Sequence, residues 1–410
     1  MSTASPGALR LSRFTATSCL GHGLEALLAA LEEARSGLKA CDFETVELDT
    51  QIGEVSGLDQ VRLPRRLEAF DCRNNRLAQL GLEQDGFCDA VRASAARWGR
   101  GRLGVFLGTT TAGILDTELA YRARDPDSGA LPPGFDYRHR QNSFSVSDYV
   151  RQALELEGPA LSVCTACSSS AKAFAVAQRM IGAGLIDAAV VGGVDSLCLT
   201  TLYGFHSLQL TARRACRPFD RWREGLSIGE AAAFALLERD ERHECRRHGE
   251  LEREVLLLGA GESSDAHHMS SPHPAGDGAR MAMSRALAEA RLESTDVDYI
   301  NLHGTGTPGN DSAESLAVSA LFGPHTPCSS TKAATGHTLG AAGALEAVVC
   351  ALALRHGLLP AGLNVTEPDP QLALEYLRAS RRAPIEIALS NSFGFGGVNC
   401  ALLFGLAGGP

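Results

Sequence analysis

A chain of 410 residues with 44% hydrophobic and 21% charged side chains is long enough to bury a large core and is globular in composition. Its 38 basic and 48 acidic residues leave a formal charge of −10, which excludes a general nucleic-acid binder, because that function needs a basic face. Twelve cysteines without a framework spacing read as free thiols of a reducing compartment, and Met1 to Arg13 lack an apolar signal core, so a cytoplasmic protein outside the membrane is expected.

In chain order, Leu103 to Gly108 (LGVFLG) is a short apolar run that ends in Gly-Thr-Thr-Thr and reads as a buried strand. Tyr121 to Gln141, rich in Arg, Asp, Pro and Gly, reads as an exposed excursion. Ala160 to Cys164 is a second strand, followed by a small-residue helix over Ala171 to Ile181. Asp187 to Gly193 (DAAVVGG) and Ala232 to Leu237 complete a series of buried strands that alternate with helices, which indicates an α/β chain. Two faint echoes suggest related halves joined near Arg239 to Leu251, with insertions in the first. Gly184 to Ala188 resembles Gly357 to Ala361, and Leu107 to Thr111 resembles His303 to Thr307.

Cys167 lies in Thr165-Ala166-Cys167-Ser168-Ser169-Ser170, between a strand and a helix. A helix N-terminus offers unpaired N–H groups and a positive partial charge, worth about 0.3–1 kcal/mol. That lowers a thiol by less than about one pH unit, so the dipole alone does not make a thiolate, and a neighbouring histidine is the natural supplement. An inert core thiol and a Cys164/Cys167 redox pair are the competing readings.

Two glycine-rich segments supply histidines: Leu302-His303-Gly304-Thr305-Gly306-Thr307-Pro308, and Lys332-Ala333-Ala334-Thr335-Gly336-His337. The first satisfies G-x-G-x-x-G, but Pro308 is unsuited to a dinucleotide turn, and no acidic residue stands about 20 positions on to hold a ribose. In the second, a buried lysine near the ring would keep His337 neutral, as an N–H donor to an enolate oxygen. His267, His268 and His273 fit no zinc spacing, so no metal is expected. Asn391 to Asn399 (NSFGFGGVN) can bring backbone amides close to a ligand, as an oxyanion hole requires.

Together, T-A-C-S-S-S at 165–170, R-P-F-D at 217–220, S-S-D-A-H-H-M at 263–269, H-G-T-G-T-P at 303–308, K-A-A-T-G-H at 332–337, G-A-A-G at 340–343 and N-S-F-G-F-G-G-V-N at 391–399 resemble the β-ketoacyl-acyl carrier protein synthases. The likeness is to their type I/II group, within the thiolase superfamily. It implies a five-layered αβαβα thiolase fold of two duplicated halves, 1–245 with the nucleophile and 246–410 with both histidines and the lysine, and usually a dimer. The implied reaction is decarboxylative Claisen condensation of an acyl thioester on Cys167 with malonyl-acyl carrier protein. His303 and His337 would promote decarboxylation, Lys332 would orient and tune His337, and Glu346 would support the site. The amides of Cys167 and Phe395 would form the oxyanion hole, Phe395 would gate the acyl pocket, and Thr305 and Thr307 would touch the pantetheine arm. No resident cofactor is implied, because substrates ride on the phosphopantetheine of the carrier.

Departures from the usual fatty-acid enzymes are a shorter segment after Leu210 (TARRAC) and an altered Ser227-Ile228-Gly229-Glu230. Asn74-Asn75 after Arg73, and Leu107 to Thr111, resemble condensing enzymes of aryl-polyene or xanthomonadin-like pigment clusters, which leaves saturated and polyunsaturated chains open. An acidic carrier protein calls for an arginine face, for which Arg62, Arg65, Arg66, Arg73, Arg213 and Arg214 are candidates. The rival readings are a thiolase acting on CoA esters, with Cys400 the candidate second cysteine, and a partner subunit. A heterodimer with a chain-length-factor-like subunit stays open beside the homodimer.

Overall fold

The structure, a computed structural model, describes residues 7–239 and 254–408. The boundary at 245/246, and the join beyond Arg239, lie outside them. The first half contributes strands β1 (Leu9–Ser18), β2 (Leu103–Gly108), β3 (Ala160–Val163), β4 (Ala188–Asp195) and β5 (Ala231–Arg239). The second contributes β6 (Val255–Ser264), β7 (Tyr299–Asn301), β8 (Pro327–Ser329), β9 (Ile387–Gly394) and β10 (Val398–Leu406). Among the described residues these belong to one 12-stranded mixed sheet, with the order β3-β2-β4-β5-β1-β6-β10-β9-β7-β8.

Outward from the centre, the two halves repeat. β5 runs antiparallel to both β1 and β4, and β2 is parallel to β4 and β3. β6, β10 and β9 run antiparallel in the same way, and β7 is parallel to β9 and β8. The halves meet where β1 pairs with β6, Leu9 opposite Leu257 and Leu11 opposite Val255. The Gly-Thr loops after β2 and β7 are therefore equivalent, as are the ends of the helices before Gly184 and Gly357. The expected insertions in the first half are present, but the second half also has one. After Gly357 the chain makes a small hairpin (Leu358–Leu359 with Arg381–Arg382) before it reaches β9.

Helices α1 (Arg73–Leu82), α2 (Phe87–Trp98) and α3 (Ser145–Ala153) pack on strands of the first half, α4 (Ser169–Gly182) lies inside, α5 (Asp277–Ala290) and α6 (Pro308–Phe322) cover the second half, and α7 (Ala342–His356) is again inside. α4 and α7 touch each other and strands of both halves, which makes them the middle of five αβαβα layers. This is the thiolase fold. α7 is buried from Ala342 to Leu354 because its sequence is apolar all round. By length and composition Leu339–His356 could cross a membrane, yet 89% of it is buried inside the protein. A Cβ on Gly343 would lie 2.7 Å from the Cβ and N of Ala171, so the crossing of the two central helices needs glycine there. Tyr121 to Ala130 is exposed throughout, as its composition suggests.

Candidate active site

Cys167 ends the turn between β3 and α4. Ala166 is held at φ +51°, a costly conformation for a residue with a Cβ, and hydroxyls tie the turn in place. Ser168 Oγ donates to the Thr165 carbonyl at 2.9 Å, Ser169 Oγ to the Ala166 carbonyl at 2.6 Å, and the Thr165 N–H to Ser169 Oγ at 2.9 Å. The serines after the cysteine are thus the fasteners of its turn. The helix start and the turn leave Cys167 6% exposed.

His337 Nε2 lies 3.0 Å from Cys167 Sγ. The backbone of His337 is clamped by Ser227 to Gly229: its N–H donates to the Ser227 carbonyl at 2.7 Å, and its carbonyl accepts the Gly229 N–H at 3.0 Å. The segment Ser227 to Gly229 therefore seats this histidine. His303 follows β7, with Glu314 of α6 accepting the His303 and Gly304 N–H groups at 2.8 Å each. The two imidazoles stand edge to face, 5.3 Å apart.

Lys332 is fully buried, ion-paired with Glu346, and its Nζ is 3.4 Å from His303 Nδ1. The expected contact with His337 is thus replaced by one with His303. Between Lys332 and His337 lie a single helical turn and Gly336 at φ +74°, which redirect the chain, so the two side chains reach the site from different directions. Because an ammonium only donates, His303 Nδ1 accepts and its proton sits on Nε2. His337 Nδ1 is buried without a partner, and an unpartnered lone pair is cheaper than an unpartnered N–H, so its proton also belongs on Nε2.

Burial holds both imidazoles well below the ordinary value, and the Lys332 charge adds to it. Burial also pushes the Cys167 thiol up to about 11, against the pull of Lys332 and of the backbone N–H groups of Phe395 and Cys167 itself. Glu346 and Glu314 are each pushed up to about 7 by burial, with Lys332 opposing the rise in Glu346. The resting site is a thiol beside two neutral imidazoles.

These groups line a cavity of about 600 Å³. Phe205, Leu210, Leu226, Phe393 and Phe395 give it apolar walls, and Phe395 packs on Phe205 with ring centroids 5.6 Å apart. Thr305 and Thr307 also line it, with their hydroxyls 2.9 Å apart. Cys167, His303 and His337 place their ligand atoms within 4.8 Å of one another, a spacing open to a soft metal, although the ammonium beside His303 opposes a cation. His267 borders the cavity, with its ring 5.2 Å from that of His273.

Arg73 is not a docking residue. It is buried at the start of α1 and holds Glu230 at 2.6 Å, Glu54 at 3.2 Å and Asp59 at 3.3 Å, because a buried carboxylate at 230 requires a cation. Arg213 and Arg214 are exposed just past the cavity-lining Leu210. Arg62, Arg65 and Arg66 are clustered around a short 3₁₀ turn and line no part of the cavity, and Arg66 donates to the Gln152 carbonyl of α3 at 3.0 Å. Cys164 and Cys167 are both free thiols, Cys164 exposed and Cys167 buried. Sequence reasoning missed Glu314, Asp195 and Phe205. Asp195 had a signal, as the lone charge that ends an apolar strand, whereas Glu314 and Phe205 sit in ordinary helical patterns.

Comparison with known proteins agrees with this geometry. Residues 76–243 match the family described as "Beta-ketoacyl synthase, N-terminal domain", and residues 255–366 match "Beta-ketoacyl synthase, C-terminal domain". The 3-oxoacyl-[acyl-carrier-protein] synthase 2 of Coxiella burnetii is 38% identical over 405 residues, 94% of this chain and 95% of that protein. The mitochondrial 3-oxoacyl-[acyl-carrier-protein] synthase of Arabidopsis thaliana is 38% identical over 74% of this chain and 68% of that protein. Among solved structures, the ketosynthase ApeO in complex with its chain length factor ApeC, from Xenorhabdus doucetiae, superposes with a TM-score of 0.87 at 37% identity, covering 98% of each chain.

Proposed function

The chain belongs to the β-ketoacyl synthase family, and on that premise we propose the roles of its residues in the reaction. It is a ketosynthase that condenses an acyl thioester with malonyl-acyl carrier protein in fatty-acid or polyketide elongation. The observation that carries the assignment of roles is the meeting of Cys167 Sγ, His337 Nε2 and the Lys332-backed His303 in one apolar cavity.

Cys167 attacks the incoming acyl thioester. The oxyanion is held by the Cys167 and Phe395 N–H groups, and the thiol proton leaves on the pantetheine thiol, giving acyl-Cys167. Malonyl thioester then loses carbon dioxide. The C–C bonding pair becomes an enolate whose oxygen accepts the Nε2–H of His303 and of His337, so no strong base is needed. The enolate carbon attacks the Cys167 thioester, the C–S bond breaks, and the Cys167 thiolate takes up a proton from solvent, the one proton that the condensation consumes. Thr305 and Thr307 hold the pantetheine arm, and Phe395, packed at a tilt against Phe205, gates the acyl space. The phosphopantetheine belongs to the carrier, and no resident cofactor enters the steps. Free thiols throughout the described residues fit a reducing cytoplasm.

A thiolase reading requires a second reactive cysteine, but Cys400 is buried in β10 and does not line the cavity. Partnering is a second matter. β3 is the last strand of the sheet on its side, and Leu119, Tyr121, Tyr137, Phe144 and Leu161 are exposed apolar side chains, a surface that calls for cover. Together with the ketosynthase–chain length factor likeness, this supports pairing with a second thiolase-fold subunit of the chain-length-factor kind, with the homodimer as the alternative. Native mass spectrometry of the chain alone and after co-expression distinguishes the two.

The chemistry is tested by intact mass and by labelled malonyl-carrier. An acyl adduct that is lost in Cys167→Ala, with release of labelled carbon dioxide, is expected. Wild-type protein that takes no acyl group would refute it. A panel of saturated, enoyl and aryl-polyenoyl carriers then fixes the pathway, for which the resemblance of Asn74-Asn75 and Leu107 to Thr111 favours the polyunsaturated branch.

A further inference from the structure

Asp195 closes β4 as a carboxylate with no exposed surface. Such a group is costly unless its lone pairs are filled, and here they are filled from two distant parts of the chain. From the loop after β2 come the Thr109, Thr110 and Thr111 hydroxyls at 2.8, 2.5 and 2.9 Å, and the Thr110 and Thr111 N–H groups at 2.7 and 2.9 Å. From the turn into α7 comes the Gly340 N–H at 2.6 Å. A Cβ on Gly340 would lie 2.8 Å from Asp195 Oδ2, so this approach requires glycine. A Cβ on Gly108 would lie 2.2 Å from Ser170 N, which places the same loop hard against the start of α4, the helix behind Cys167.

The nucleophile's loop system and the turn that carries His337 are thus stitched together by one side chain. We propose that Asp195 is a positioning residue for the condensation, clamping the Thr109–Thr111 loop to Gly340 and so setting His337 against Cys167. The proposal rests on the reading of Cys167 and His337 as reacting groups.

The clamp also carries charge. Among the described residues no cation pairs with Asp195, whose charge is met by N–H and O–H dipoles alone. That charge adds to burial in pushing the Cys167 thiol up, while Lys332 acts in the opposite sense; His303 and His337 also face the sulfur, and Asp265 and His267 line the same cavity. A clamp and a brake predict effects of opposite sign on turnover and on thiol reactivity.

Asp195→Asn keeps the volume, removes the charge and turns one acceptor into a donor. In the purified enzyme, kcat for condensation is expected to fall by up to about a hundredfold, the effect of an ångström-scale misplacement, with KM for the acyl carrier unchanged. Carboxamidomethylation of Cys167 at about pH 8 is expected to become several-fold faster. Unchanged turnover overturns the proposal, as do turnover and alkylation that fall together with the melting temperature. Should that variant fail to fold, Thr110→Val keeps the charge and removes one hydroxyl of the clamp. Turnover should then fall with alkylation unchanged, and full activity overturns the clamp. Failure of the ketosynthase reading itself shows separately, as wild-type enzyme that forms no acyl adduct.

Discussion

Alkylation of Cys167 by iodoacetamide reports whether the resting enzyme stores a thiol or a thiolate. The residue is 6% exposed, and burial pushes its thiol up to about 11 although Lys332 and two N–H groups pull the other way. At pH 7 a thiol near 11 leaves roughly one molecule in 10⁴ ionised, a deficit of about 5–6 kcal/mol at about 1.4 kcal/mol per pH unit. Since only the thiolate reacts, the rate should climb about tenfold per pH unit from about pH 6 to about pH 10 without a plateau. A stored thiolate–imidazolium pair would instead be saturated near neutrality. Timed quenching and intact mass give the rate at each pH, with Cys167→Ala as the blank for other thiols such as the exposed Cys164. A plateau below 9.0, the ordinary thiol value, would refute the argument that desolvation outweighs both the helix start and the lysine.

Lys332→Met leaves Glu346 buried without its cation and should cost about 3–5 kcal/mol in denaturant unfolding, with most of the loss restored in Lys332→Met/Glu346→Gln; a loss that the second change does not relieve contradicts the pairing. Gly343→Ala drives a methyl into Ala171, and the melting midpoint should fall by the equivalent of about 1–3 kcal/mol; an unchanged midpoint means the central helices cross more loosely than described. The buried imidazoles stay neutral when folded, but those of the unfolded chain take up protons below 6.5, so stability present above that value is lost as pH falls through it. Cys72 and Cys198, pushed up to about 12, hold their protons longer folded than unfolded, so stability present below 9.0 is lost as pH rises beyond it, and the melting temperature traced against pH should decline on both sides. Arg213→Glu should raise KM for carrier-bound substrates and leave small thioester substrates unaffected; equal effects on both would remove Arg213 from carrier docking.

Much of the architecture could be read along the chain because its signals are local. LGVFLG forms β2 over the same residues, and the small-residue pattern after Cys167 forms α4 with two more residues at its start and one at its end. The echo between Leu107 to Thr111 and His303 to Thr307 corresponds to equivalent loops in a repeated topology. The echo at Gly357 is true of the helix end but fails over the next residues, where a hairpin replaces the strand. That insertion has no marker in composition, since its residues are as polar and proline-bearing as any surface loop.

By itself the sequence determined the chemistry available: a cysteine at a helix start tied by its own serines, two histidines in glycine turns, a lysine close by and a glycine-rich amide turn. These depend on neighbours along the chain, and such neighbours are visible in a string of residues. Only the tertiary structure decided which charge meets which. Lys332 lies against His303 rather than His337, Arg73 is spent on Glu230 from 157 residues away, and Asp195 joins loops from opposite halves. Burial raises a thiol that the helix start would lower, and burial is a property of what the rest of the chain packs around it. Pairing and desolvation act through space at a few ångströms, between residues that can lie far apart along the sequence.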